Sequence, residues 1–214
     1  VEAAREYVAQ GFRALKVKLG RDVGEDTDRL RRIREAVGPG VALRTDPNAG
    51  YDAGELRRYL AETASLDLEF CEQPVARGGE AAFDGLDAAE RAGLAADESV
   101  HDLADAGQLL REPRPYGIFN LKLMKCGGIS PAVRIAHLAE GAGVELMWGC
   151  NDESRISIAA ALQDNRRALF VGQRVAPVFQ VHTHARHAGQ LFAAPVTTTV
   201  DHAAGDETGV VEQL

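Results

Sequence analysis

From residue 12 to about 162, one arrangement of apolar and polar positions repeats along the chain. A short apolar run ends in a polar residue, a turn follows, and an amphipathic stretch of 10–14 residues comes next. The strand-like runs are RALKVKL (13–19), VALRTDPN (41–48), LEFCEQP (68–74), LAADES (94–99), GIFNLKLMK (117–125) and VELMWGC (144–150). Between them lie helix-like segments such as DTDRLRRIREAV (26–37), AGELRRYLAETA (53–64) and SPAVRIAHLAEGAG (130–143). In the first of these, Leu30, Ile33 and Val37 keep helical spacing with charge on the opposite face. Strands alternating with helices at this spacing predict parallel strands joined by crossover helices.

Five polar residues decide between an open sheet and a barrel. Lys18, Asp46, Glu72, Asp97 and Lys122 fall at intervals of 28, 26, 25 and 25, each near the C-terminal end of its run. A barrel gathers such ends at one mouth, whereas an open sheet spreads them along a line. The expected fold is therefore α/β, a TIM-type (β/α)7β or (β/α)8 barrel. Six units are clear over residues 1–162. Residues 163–214 form an atypical C-terminal segment, read either as the last barrel strands, with FVGQRVAPVFQVH and APVTTTV as candidates, or as an aberrant tail, and the barrel is expected to be incomplete there.

Strand side chains alternate between faces, so Lys16 and Lys18 point one way and Leu15, Val17 and Leu19 the other. By the same rule Arg44, Asp46 and Asn48 point together, Phe70 goes with Glu72, and Lys125 points away from Lys122, to face the helices or to support the site from outside. Lysine is almost never buried without a partner. Three converging carboxylates with oxygen-only company suit a hard cation, Mg²⁺ or in its place Mn²⁺. Without a cation they would raise one another's pKa values. The flanking lysines then read as proton-transfer groups, with Lys16 expected to ease deprotonation of Lys18.

Composition narrows the partners. Among 214 residues, 45% are hydrophobic and 26% charged, as in a water-soluble globular protein. A net charge of −8 with no basic stripe argues against nucleic acid. The three cysteines, Cys71, Cys126 and Cys150, form no CxxC pair and point to a reducing, cytoplasmic setting. No membrane-length apolar run or signal peptide is found. The opening Val1-Glu2-Ala3-Ala4 reads as an excised domain or fragment.

In order along the chain, KVK, RTDPN, CEQP, ADES, LKLMKCGG and GCNDES resemble the enolase superfamily. Within it they are most similar to dipeptide epimerases of the muconate lactonising enzyme-like subgroup. A Lys base working beside Mg²⁺ is a general property of that superfamily, not a deduction from spacing. The resemblance implies Asp46, Glu72 and Asp97 as Mg²⁺ ligands and Lys18 and Lys122 as opposed acid/base groups, with Lys16 beside them. It implies Glu153, Asn48 and Lys16 around a small carboxylate or dipeptide substrate, such as L-Ala-L-Glu. The reaction implied is removal and return of an α-proton through an enediolate. The same site would serve a muconate cycloisomerase or an o-succinylbenzoate synthase-like lyase, and a catalytically inactive fragment is the third reading. The family's N-terminal capping domain is not among these residues. Of its Asp-x-Asp only VDHAAGDE (200–207) is found, with different spacing. A homo-oligomer is compatible with this reading. His182, His184 and His187 are expected as incidental surface residues, Gly127-Gly128 as a tight turn, and Cys71 and Cys150 as small core residues. Glu98 is expected to cap a helix or back the site.

Overall fold

The computed structural model describes residues 1–149, 151, 154, 156 and 159–161, and the backbone of 176–177 and 191–194. Helix α1 (Glu2–Ala9) leads into β1 (Ala14–Lys18), followed by α2 (Val23–Val37), β2 (Ala42–Asp46), α3 (Ala53–Thr63) and β3 (Leu68–Glu72). Then come α4 (Ala88–Ala92), β4 (Leu94–Ala96), α5 (Leu103–Leu109), β5 (Ile118–Leu121), α6 (Leu123–Cys126), α7 (Ile129–Gly141) and β6 (Glu145–Trp148). Two short strands complete the series, β7 (Ala176–Pro177) and β8 (Leu191–Ala194). The second arrives just ahead of the expected APVTTTV, which lies outside the described residues beyond Ala194.

Strands β1 to β6 pair in sequence order, all parallel. A doubly wound sheet reverses its order at a switch point. This sheet winds one way only, as a barrel wall does. Strand β7 extends it parallel to β6, and β8 pairs antiparallel with β1.

The two faces of the sheet carry different cores. Leu15, Val17, Leu43, Cys71, Leu94, Phe119, Leu121 and Leu146 face the helices, where they join Leu30, Ile33, Leu56, Tyr59 and Ile135 in one buried cluster. Each such fully buried side chain contributes about 1.5–3 kcal/mol by leaving water. Phe70, Ala95, Ile118 and Met147 form a separate small cluster, one residue from each of four neighbouring strands. That is a layer of barrel filling beneath the mouth.

Local signals fix the helices. Asp22 caps α2 by accepting from the Glu25 amide. Asp52 with Glu55, and Asp87 with Glu90, close reciprocal capping boxes on α3 and α4. Helices α4 and α5 have only 5 and 7 residues, shorter than the expected amphipathic stretches. No described helix is long and apolar enough to cross a membrane.

Candidate active site

The C-terminal ends of β1 to β5 bring the five spaced residues together. Lys16 Nζ lies 2.5 Å from Glu72 Oε2 and 2.9 Å from Asp46 Oδ2. Lys18 Nζ reaches Asp46 Oδ2 at 2.5 Å and Asn48 Oδ1 at 2.7 Å. Lys122 Nζ donates to Asp97 Oδ2 at 2.5 Å, and Asn120 Nδ2 to Glu72 Oε1 at 2.9 Å. Contacts such as Lys16–Glu72 and Asn120–Glu72 join strands two apart, about 9.6 Å in a flat sheet. Their convergence reflects the concave curl of the wall.

The loops behind these residues interlock. A Cβ on Gly20, at φ +99°, would strike the Pro47 carbonyl, and one on Gly50 would strike the Gly20 backbone. Asp26 accepts from the Gly20 amide and the Tyr51 hydroxyl, tying the loop after β1 to the loop after β2. Asn48 stands at φ +53°, a region that Asn tolerates, and its backbone amide donates to Asp46 Oδ1 at 3.0 Å.

Charge sets the protonation states. Burial disfavours an ionised Asp46, but Lys16 and Lys18 outweigh it and hold the carboxyl below its usual range. Burial likewise opposes ionised Asp97, and Lys125 and Lys122 overcome it. Glu72 differs: burial, reinforced by Asp46 and Asp97 and only partly offset by Lys16, pushes it up to about 7. For Lys16 the cost of burial is overcome by Glu72 and Asp46, which keep it protonated. Its ammonium therefore bridges two carboxylates, so its charge is compensated where the sequence suggested an unshielded neighbour for Lys18.

Lys125 corrects the sequence reading. The strand ends at Leu121 and α6 begins at Leu123 with Lys122 as its N-cap, so the alternation of faces stops there. Residues three apart on a helical turn share a side. Lys125 Nζ accordingly lies 2.5 Å from Asp97 Oδ1 and 2.6 Å from the Asp97 carbonyl. Burial pulls its pKa down despite Asp97. The helix start, not the apolar pattern, was the signal that could have found it. Glu98 is no cap: α5 is capped by Asp102, and Glu98 Oε1 accepts from Asn48 Nδ2 at 3.1 Å. Gly149 is packed close, since a Cβ there would stand 2.6 Å from Asn120 Oδ1 and 3.0 Å from Lys122 Cε. Trp148 is buried in the helix-facing core. Gly127 and Gly128 turn at positive φ, and Cys71 is buried. Glu153, Cys150, His182, His184 and His187 lie outside the described residues.

The donor set fits a hard cation. Asp46, Glu72 and Asp97 supply oxygen only, and Asp46 and Asp97 are near enough to Glu72 to raise its pKa. As the side chains stand, no three acidic, His or Cys groups among the described residues close into a metal cluster, because each carboxylate is turned to a lysine. Side-chain rotation is what coordination would require.

The sequence model of the family described as Enolase C-terminal domain-like matches residues 1–205. The chain belongs to this family. It is 52% identical over 159 residues to the L-Lys-D/L-Arg epimerase of Methylococcus capsulatus, covering 74% of this chain and 45% of that protein. It is 39% identical over 161 residues to the L-Ala-D/L-Glu epimerase of Bacillus subtilis, covering 74% and 44%. Among solved structures, the dipeptide epimerase of Methylococcus capsulatus complexed with Mg and the dipeptide L-Arg-D-Lys superposes with a TM-score of 0.75 at 47% identity. That match covers 83% of this chain and 49% of the other. The family membership and these neighbours identify the curled sheet as the wall of a TIM-type barrel. The chain spans less than half the length of the relatives it matches.

Proposed function

We propose that this chain carries the catalytic mouth of a Mg²⁺-dependent dipeptide epimerase, working in the cytoplasm on a small carboxylate substrate without nucleic acid. One observation carries the reading: ammonium groups at the C-terminal ends of β1 and β5 flank a row of acids at the ends of the three strands between them. Asp46, Glu72 and Asp97 would hold Mg²⁺, whose charge would offset the negative charge left on the substrate as the α-proton leaves. Lys18 on one side takes the proton, and Lys122 on the other returns one to the opposite face of the α-carbon. The reverse epimerisation exchanges their roles. Lys16 holds Glu72 and Asp46 in place; Asn48 would meet the substrate, as would Glu153 by its place in the GCNDES motif. Relatives acting on Lys–Arg and Ala–Glu dipeptides support the substrate class. We take residues 1–162 as the six clear units of the barrel and 163–214 as an atypical C-terminal segment that supplies its last strands, a reading supported by the pairing of β7 with β6 and of β8 with β1.

The test begins with a calorimetric Mg²⁺ titration, with Asp46→Asn as control, and continues in D₂O with Lys–Arg and Ala–Glu dipeptides. Binding lost in the control and deuterium at the α-carbon are expected. Lys18→Met and Lys122→Met should each slow epimerisation by about 10²–10⁴-fold, each sparing exchange from one stereoisomer. A folded chain that binds no Mg²⁺ overturns the metal site. Mg²⁺ binding with dipeptides unlabelled, and ring-closed or dehydrated product from a different acid, would favour a cycloisomerase or lyase.

A further inference from the structure

Gln73 follows Glu72 directly, is fully buried, and stands at φ +38°. Side-chain-bearing residues enter this left-handed region at a cost, which persists only where surrounding contacts over-determine it. The contacts here run to both neighbouring carboxylate segments. Its carbonyl accepts from the Ala49 amide at 2.7 Å, in the loop that follows Asp46. Its own amide donates to the Ala95 carbonyl at 2.8 Å, on β4. Its side-chain Oε1 accepts from the amides of Asp97 at 2.8 Å and Ser99 at 3.1 Å. Nε2 donates to the Val75 carbonyl and the Ser99 hydroxyl, both at 2.8 Å, and to the Tyr116 hydroxyl at 3.2 Å.

We infer that Gln73 is a positioning residue that sets the spacing of Asp46, Glu72 and Asp97, and through it the affinity of the barrel mouth for a divalent cation. A buried glutamine serving stability alone would need its polar atoms satisfied, and any partners would do. Gln73 instead bonds the backbone of Asp97 itself and the Ala49 amide in the loop just past Asp46, while being covalently joined to Glu72. A shift of this one residue moves all three acids relative to one another. Metal-bearing sites lose roughly 10–100-fold in affinity when such supporting hydrogen bonds are removed.

This inference rests on the metal reading above, and its test separates the two. Gln73→Asn suits the left-handed backbone but withdraws the amide by one methylene from Asp97 and Ser99. Tyr116→Phe removes the Tyr116 hydroxyl, a partner of Gln73 Nε2, and leaves the bonds to Asp97 and Ala49 in place. Calorimetric Mg²⁺ titrations of the 214-residue chain and both variants would be run below their melting transitions, which circular dichroism locates. Gln73→Asn should remain folded and bind Mg²⁺ at least about tenfold more weakly. Tyr116→Phe should stay within about threefold of the unsubstituted chain. Equal affinity in folded Gln73→Asn overturns the positioning role while leaving the metal site intact. If the folded, unsubstituted chain shows no Mg²⁺ binding that depends on Asp46, the metal reading falls and this inference with it.

Discussion

At the scale of single residues, burial decides what a side chain can do. The Cys71 thiol lies in the helix-facing core, and burial pushes it up to about 12, with Thr45 and Tyr59 opposing only in part. An unfolded thiol ionises near pH ~8.5. Between those values the unfolded state binds fewer protons than the folded one, so stability falls as pH rises from about 8.5 toward 12. Below that window the thiol adds no slope. Urea melts of the chain and of Cys71→Ala should show the stability difference shifting by about 2 kcal/mol between about pH 8.5 and 10. The acids and lysines of the mouth were legible in the sequence because each ends a strand whose period is two and whose spacing from the next is nearly constant. Lys125 was not, since the period changes at Lys122. Gln73 was not, because its ties to neighbouring backbone leave no trace in an apolar pattern.

At the scale of elements, helices α2, α3 and α7 follow from 3.6-residue periodicity, and their starts from the aspartates or loops before them. The capping box of α3 satisfies two otherwise unpaired groups at its first turn. Asp52→Ala should therefore cost about 1 kcal/mol in a chemical melt, with Mg²⁺ affinity unchanged. Helices α4 and α5 are too short for periodicity to reveal. Strand β8 begins three residues before the expected APVTTTV and meets it at Ala194, because short apolar runs in this part of the sequence look alike.

At the scale of the whole molecule, the two ends of the barrel wall do different work. Deeper than Asp46 on the same strand, Arg44 pairs with Glu69 at 2.5 Å and lies 5.4 Å from the centre of the Phe70 ring. Loosening this layer while leaving the mouth intact should separate stability from binding. Arg44→Met is expected to lower stability in a urea melt by about 1 kcal/mol and to leave the Mg²⁺ affinity within about twofold. The in-order pairing of the strands also bears on how the chain is made. Ala14 pairs with Ala42, 28 residues on, whereas its other partner is Ala194, 180 residues on. Closing the longer loop costs about 1.6 kcal/mol more in chain entropy. A nascent chain can thus lay down the wall strand by strand as it leaves the ribosome, each new strand meeting a neighbour already in place. The pairing on the other edge of β1 has to wait until Leu191–Ala194 have been made.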